Sequence, residues 1–163
     1  MHLTPVARTA HMFRGISNAS LDAKGRMALP TRNREAMVAL SQGKVVVTID
    51  MRERCLLLYP LQEWEIVQRK LEALSNINPE ARLLQRLLIG HATDLELDGS
   101  GRILLPGLLR DYAALAKKLV LVGQGNKIEI WAHDTWQECM DGWLGKDRSD
   151  LLENGDAFTG LSV

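Results

Sequence analysis

Two short stretches of this sequence are closely similar: "LDAKGRMALP" at residues 21–30 and "LDGSGRILLP" at residues 97–106. Aligned without a gap at an offset of 76 residues, they are identical at six of ten positions. The identical positions are those of Leu21, Asp22, Gly25, Arg26, Leu29 and Pro30. A self-similar element at a fixed offset indicates that one structural unit occurs twice.

The similarity continues beyond these stretches. Further matching pairs are Arg34-Glu35 with Arg110-Asp111, "KVVVTID" at 44–50 with "KLVLVGQ" at 118–124, and "LLLYPLQEW" at 56–64 with "IEIWAHDTW" at 128–136. The offset falls from 76 to 74 and then to 72, so two small gaps suffice. We therefore predict two copies, copy one at residues 15–63 and copy two at residues 92–136, preceded by an N-terminal extension, 1–14.

Each copy has the same predicted order of elements. A strand leads into a tight turn and a short β-rich run, and then Pro30 or Pro106 opens a short helix, since proline suits a helix start. Two more strands close the copy, and "VVVTI" shows their β-branched composition. We expect "GQGN" at 123–126 to be the hairpin turn between the last two strands of copy two.

Helices are predicted between and after the copies. The insert at residues 64–91 carries apolar residues at helical spacing, and Asn78-Pro79 has the sequence of a cap followed by a first-turn proline. A last helix follows Asp134, with Trp136, Met140 and Trp143 on its inner face. Residues 137–163 hold the end of that helix and a tail, which we expect to be loose and acidic from Gly145 onward.

The composition is that of a globular protein, with 46% hydrophobic and 25% charged residues among 163. No apolar run approaches the roughly 20 residues that span a bilayer, and the N-terminus lacks the apolar core of a secretory signal. Cys55 and Cys139 lie in apolar or amphipathic stretches, which favours reduced thiols. We therefore expect a cytoplasmic protein without a membrane partner.

The net charge of zero conceals an uneven distribution. Residues 12–60 carry eight Lys or Arg and four Asp or Glu, whereas residues 132–163 carry two and seven. A polyanion responds to local potential more than to the total, so the basic N-terminal half remains compatible with nucleic acid.

The repeated turn predicts a rigid hairpin that presents an arginine. Asp22 and Gly25 occupy the first and fourth positions of a type I turn, where the carboxylate can accept turn N–H groups and glycine can adopt positive φ. Arg26 then begins the next strand beside Asp22 and can pair with it. Asp98, Gly101 and Arg102 repeat this logic in copy two.

Two interpretations of the hairpin remain open. In the structural one, the Asp–Arg pair only braces a turn, as in many proteins. In the functional one, a fixed guanidinium contacts a phosphate or binds guanine bidentately. Further cations are then candidates for contacts with the DNA backbone, namely Lys24, Arg14, Arg32 and Arg34.

The sequence offers little for catalysis. The four histidines lack metal-ligand spacing, and there is neither a Cys-x-x-Cys nor a His-Glu-x-x-His pattern. Ser100 does not lie in a Gly-x-Ser-x-Gly element, and no Walker loop is present. We expect no enzymatic activity, no metal, no cofactor and no small-molecule ligand.

Several segments together resemble the MraZ family of bacterial transcriptional regulators, from Met12 to about Trp143. They are "MFRGISNASLDAKGRMALPTRNRE", "CLLLYPLQEWE", "NPEARLLQRLLIGHA", "LDGSGRILLP" and "LVGQGNKIEIW". The resemblance implies an α+β fold in which tandem AbrB-like swapped-hairpin repeats interlock into one pseudo-symmetric β-barrel. The helical insert and the C-terminal helix complete that fold.

The resemblance also implies a function. The family forms rings of several subunits and represses transcription from short direct repeats in double-stranded promoter DNA, upstream of its own gene and of the division and cell-wall gene cluster. Asp22, Arg26, Asp98 and Arg102 align with its two Asp-x-x-x-Arg motifs, whose arginines contact DNA. Such a protein is expected to be associated with the nucleoid. Since Ser100 replaces Lys24 in copy two, equal roles for the copies are not expected.

Other interpretations remain open. An AbrB-type protein-interaction or antitoxin-like module would bind a protein instead of DNA, and the acidic tail suits that role. A helix-turn-helix regulator would use the insert, with Arg82 and Arg86 reaching DNA, although "SNINP" is a poor turn for that motif. The family usually begins at the equivalent of Met12, so the first eleven residues are a genuine extension, a misassigned start or an expression remnant.

Overall fold

The computed structural model describes residues 12–149, 151, 158, 160 and 161. The first eleven residues and most of the tail beyond residue 149 lie outside the described residues, and so does much of the segment predicted to be loose. The chain divides into two compact units, Met1–His133 and Asp134–Val163.

The order of elements predicted for each copy is confirmed. The strands are β1 (Phe13–Ser20), β2 (Arg26–Ala28), β3 (Lys44–Ile49), β4 (Leu56–Pro60), β5 (Thr93–Glu96), β6 (Arg102–Leu104), β7 (Lys118–Gly125) and β8 (Ile128–Ala132). The helices are α1 (Thr31–Ser41), α2 (Leu61–Glu72), α3 (Pro79–His91), α4 (Gly107–Tyr112) and α5 (His133–Leu144). The order strand, strand, helix, strand, strand, helix thus occurs twice, and α3 separates the two series.

The strands of the two copies are interlocked. A six-stranded antiparallel sheet has the order β1-β7-β8-β4-β3-β5, and a second sheet contains β2 and β6. The first strand of copy one, β1, pairs along its full length with β7 of copy two. Reciprocally, β5 of copy two pairs with β3 of copy one, and β2 pairs with β6. Neither copy therefore completes its sheets alone.

The expectation of a closed β-barrel is wrong for the part of the chain that the structure describes. A barrel closes only when its first and last strands share hydrogen bonds, but β1 and β5 are the two free ends of the six-stranded sheet. The strands β2 and β6 have three residues each and pair with one another, so they do not bridge these ends. The α+β class itself is confirmed.

The core lies on both faces of the central strands. Val45 and Val47 of β3 belong to the main apolar cluster, whereas Val46 belongs to a second cluster with Trp64 and Leu71 of α2. This double burial explains why β3 is continuously apolar instead of alternating. The predicted cap is confirmed, because the Asn78 side chain accepts hydrogen bonds from two N–H groups at the start of α3.

Close backbone contact seats β1 against copy two. Gly15 lies opposite Gly123 in the β1–β7 register. A Cβ at Gly123 would lie 2.5 Å from Arg14 Cα and 2.7 Å from its carbonyl carbon, so only glycine allows this approach.

The described part of the second unit is chiefly helical. In α5, Trp136 and Trp143 are in edge contact with ring centroids 5.7 Å apart. None of the α5 residues is fully buried: Trp136 and Met140 are half-buried, whereas Trp143, which was also predicted on the inner face, is 36% exposed. Among the described residues, no helix has both the length and the apolar character needed to cross a membrane.

Candidate nucleic-acid interface

Hairpin one, which we define as residues 21–28, has the predicted geometry. Gly25 N–H donates to the Asp22 carbonyl over 3.0 Å, and Gly25 has a φ of +84°. Asp22 Oδ1 accepts the N–H groups of Lys24 and Arg26, both at 2.9 Å. Asp22 Oδ2 accepts Arg26 Nε at 3.0 Å, so one carboxylate fixes both the turn and the guanidinium.

Hairpin two, residues 97–104, repeats this arrangement almost atom for atom. Asp98 Oδ1 accepts the N–H groups of Ser100 and Arg102 at 2.8 and 2.9 Å, and Oδ2 accepts Arg102 Nε at 3.1 Å. Gly101 has a φ of +73°. The predicted Asp–Arg pairing is therefore present in both copies.

The two hairpins form one ribbon, because β2 and β6 pair across the copies. In this register Arg26 lies opposite Leu104, and Ala28 lies opposite Arg102. Side chains alternate along a strand, so Arg26, Ala28, Arg102 and Leu104 share one face, which we call the ribbon face. The arginines are diagonal neighbours on it, with Cα atoms roughly 8 Å apart. The opposite face buries Met27 and Ile103, which are 0% and 1% exposed.

The aspartates remain charged at any physiological pH. The hydrogen bond from the Arg26 backbone N–H, followed by that from its side chain and that from Lys24, lowers the pKa of the Asp22 carboxyl below its ordinary value of 3.8. The pKa of Asp98 is lowered in the same way, chiefly by the backbone N–H of Arg102. In each arginine Nε donates to the aspartate, and the side chains of Arg26 and Arg102 are 32% and 35% exposed. Each arginine is thus oriented while it keeps donors for a ligand.

The other predicted cations lie at two places. Lys24 is exposed at the tip of hairpin one. Arg14 and Arg32 are also exposed, and they line one small cleft together with Asn33 and Glu35. That cleft could not be predicted from the sequence, because it forms only where β1 and α1 meet in the folded chain.

The candidate cations are unequally divided between the copies. At the aligned positions, Lys24 and Arg32 of copy one are replaced by Ser100 and Leu108 in copy two. Leu108 is 69% exposed, and Leu104 on the ribbon face is 56% exposed. The surface of copy two is therefore less cationic and more apolar, which extends the asymmetry seen at Lys24.

Arg34 was predicted to be one of the cations available to the DNA backbone, but it lies against hairpin two. Its Nη1 donates to the Ser100 carbonyl of hairpin two over 3.2 Å, and its side chain is half-buried. The aligned Arg110, which sequence reasoning passed over, lies against Gly25 of hairpin one. The sequence feature that could have indicated a shared role is the alignment of Arg34 with Arg110 between the two copies.

Among the residues that the structure describes, one side-chain cluster could hold a metal ion. The ligand atoms of Asp50, Cys55 and Glu129 lie within 4.8 Å of one another. All three groups already have partners, since Cys55 Sγ donates to Asp50 Oδ2 at 3.7 Å and Trp131 Nε1 donates to Glu129. Burial, with the nearby carboxylates, raises the pKa of the Cys55 thiol, which keeps it protonated and unreactive.

Known proteins resemble this chain over almost its whole length. A family model described as "MraZ protein, putative antitoxin-like" matches residues 12–87 and 88–150. A protein of Alkalilimnicola ehrlichii is 55% identical over 139 residues, which are 85% of this chain and 93% of that protein. Proteins of Thioalkalivibrio sulfidiphilus and Yersinia pestis are 51% and 47% identical over 93% of this chain and their entire lengths.

All three relatives are named "Transcriptional regulator MraZ". The two matched segments of the family model correspond to the two interlocked series of strands and helices. On both grounds the chain belongs to the MraZ family.

Proposed function

We propose that this chain is a sequence-specific DNA-binding transcriptional repressor whose ribbon face lies in the major groove of DNA. The observation that carries the proposal is the shared face of the β2–β6 ribbon, on which Arg26 and Arg102 are each oriented by an aspartate. The major groove of DNA accommodates a two-stranded β-ribbon, and arginine is the commonest specific partner of guanine. The names of the relatives support regulation of transcription as the outcome.

The DNA target follows from the family resemblance. We propose short direct repeats in the promoter upstream of the chain's own gene and of the division and cell-wall gene cluster, bound by a ring of subunits at the nucleoid in the cytoplasm. A ring also explains how a chain without net charge could bind DNA tightly. One subunit with zero net charge binds DNA weakly, whereas adjacent subunits place several copies of the ribbon-face arginines side by side and bind several repeats together.

A gel shift on the gene's own upstream region tests this proposal. Arg26→Ala should weaken binding by about 1–3 kcal/mol for each docked subunit, because one bidentate arginine contact is lost. Arg86→Ala is the matched control, since it removes an exposed arginine from α3 outside the ribbon. It also tests the helix-turn-helix alternative.

The two substitutions separate the interpretations. If Arg26→Ala leaves affinity unchanged while the assembly stays intact, the ribbon does not contact DNA. If Arg86→Ala abolishes binding and Arg26→Ala does not, DNA is bound by the helical insert.

The description of the family model favours one second candidate, an antitoxin-like module that binds a protein. A pull-down that yields a stoichiometric protein partner, together with no gel shift, would favour that function over the repressor.

A further inference from the structure

Backbone hydrogen bonds join each hairpin to the segment that leads into the helix of the opposite copy. Leu29 N–H, just before α1, donates to the Gly101 carbonyl of hairpin two over 3.0 Å. Leu105 N–H, just before α4, donates to the Gly25 carbonyl of hairpin one over 2.9 Å. The two carbonyls belong to the positive-φ glycines, on which the turns depend.

The glycine of each hairpin is also covered by an arginine side chain from the helix of the opposite copy. The Arg34 side chain of α1 passes so close to Gly101 that an added Cβ there would overlap its Cδ, and Nη1 donates to Ser100 O. The Arg110 guanidinium of α4 lies over Gly25, with Cζ 3.0 Å from an added Cβ. Arg110 Nε donates to the Leu105 carbonyl over 2.9 Å, which fixes the guanidinium over the turn.

Both glycines are consequently buried, although the aspartates and turn residues around them are exposed. A turn buttressed in this way loses less conformational freedom when its arginine binds a ligand. Arg34 and Arg110 themselves are half-buried, and the hydrogen bonds of both go to backbone carbonyls of the chain.

We propose that Arg34 and Arg110 are positioning residues, each holding the hairpin of the opposite copy in the shape that presents its DNA-contacting arginine. Arg34 of copy one supports Arg102, and Arg110 of copy two supports Arg26. The inference rests on the proposed DNA-binding function, and it couples the two copies because neither hairpin is rigid without a helix from the other.

Hydrogen–deuterium exchange of the full chain without DNA tests the support directly. Arg34→Met should raise exchange about 5-fold in the turn of hairpin two, residues 98–101, and leave the turn of hairpin one, residues 22–25, unchanged, because the lost support opens one turn locally while the β2–β6 pairing persists. Arg110→Met should do the reverse. Arg32→Met is the matched control, since it removes an exposed arginine two residues away on the same helix and should leave both hairpins unchanged.

DNA affinity tests the consequence for binding. Arg110→Met should weaken binding roughly 2- to 10-fold, the effect of having to order one long side chain. In an Arg26→Ala background it should add no further loss, because there is no arginine left to position. Arg110→Lys keeps the charge but lacks the flat guanidinium, so it should weaken DNA binding to a similar extent. It takes the place of Arg110→Met in the experiment if the methionine variant does not fold.

Two results would overturn the inference. The first is an exchange rate that, relative to the wild type, changes equally or not at all in the two turns, or that changes only in the turn of the copy that carries the substitution. The second is a full additional loss of affinity in the Arg26→Ala background, which would make Arg110 an independent DNA contact. Failure of the wild-type chain to bind any DNA would instead overturn the proposed function, while the crossed exchange pattern would still establish the support.

Discussion

Gly123→Ala tests the exchange of strands between the copies. In the β1–β7 pair, the backbone of Arg14 occupies the space that a side chain at position 123 would need. The Cβ would lie 2.5 Å from Arg14 Cα, about 1 Å closer than ordinary van der Waals contact allows. Since the obstacle is backbone, β1 must move away from β7 to relieve the overlap.

The structure sets the expected magnitude. Overpacking of this kind costs about 1–3 kcal/mol. The upper part of the range applies here, because Phe13 at the start of β1 is 4% exposed and must shift with the strand. For a chain of this size, about 2–3 kcal/mol corresponds to a fall in the melting temperature of roughly 4–12 °C.

Thermal and urea unfolding followed by far-UV circular dichroism measure this loss. Gly90→Ala is the matched control: Gly90 lies in α3 with nothing within 4 Å of an added Cβ, so that variant should be neutral or stabilised by up to about 1 kcal/mol. Equal stability of the Gly123→Ala variant and the wild type would refute the close pairing of β1 with copy two.

Three further outcomes are expected. DNA affinity should rise steeply with the number of direct repeats and fall steeply with salt, because several subunits bind together and release counterions; equal affinity for one repeat and for several would contradict this. A chain ending at Leu144 should fold and assemble normally on size-exclusion chromatography and bind non-specific DNA slightly more tightly, because residues 145–163 carry four acidic and two basic side chains; loss of the assembly would show that the tail packs between subunits. The Asp22 and Asp98 carboxyls should titrate by NMR below 3.8, so their contribution to hairpin stability is complete above that pH and is lost only as the pH falls through their lowered values; midpoints at or above 3.8 would contradict the observed pairing.

Local chemistry explains what the sequence could predict. The turn and the Asp–Arg pair of each hairpin depend on residues within five positions of one another, since Asp22 and Asp98 bond to groups two to four residues ahead. The cap of α3 is equally local. Such features follow from residue type and spacing, and the repeat doubled the signal for each hairpin.

Long-range contacts explain what the sequence missed. Arg34 reaches Ser100 across 66 residues, and nothing in the neighbourhood of either residue indicates this contact. The same limit applies to the cleft shared by Arg14 and Arg32. The closed barrel was inferred from family resemblance, whereas the open ends of the sheet depend on which strands meet in three dimensions.

Site-specific photocrosslinking reports whether the repeated hairpins contact DNA. Lys24, Ser100 and Arg86 are all exposed, so each can be replaced singly by p-benzoylphenylalanine, with Arg86 as the reference outside the ribbon. After irradiation with promoter DNA, Lys24→p-benzoylphenylalanine and Ser100→p-benzoylphenylalanine should yield covalent protein–DNA adducts, and Arg86→p-benzoylphenylalanine should not. Adducts from position 86 alone would show that the helical insert, and not the pair of hairpins, contacts DNA.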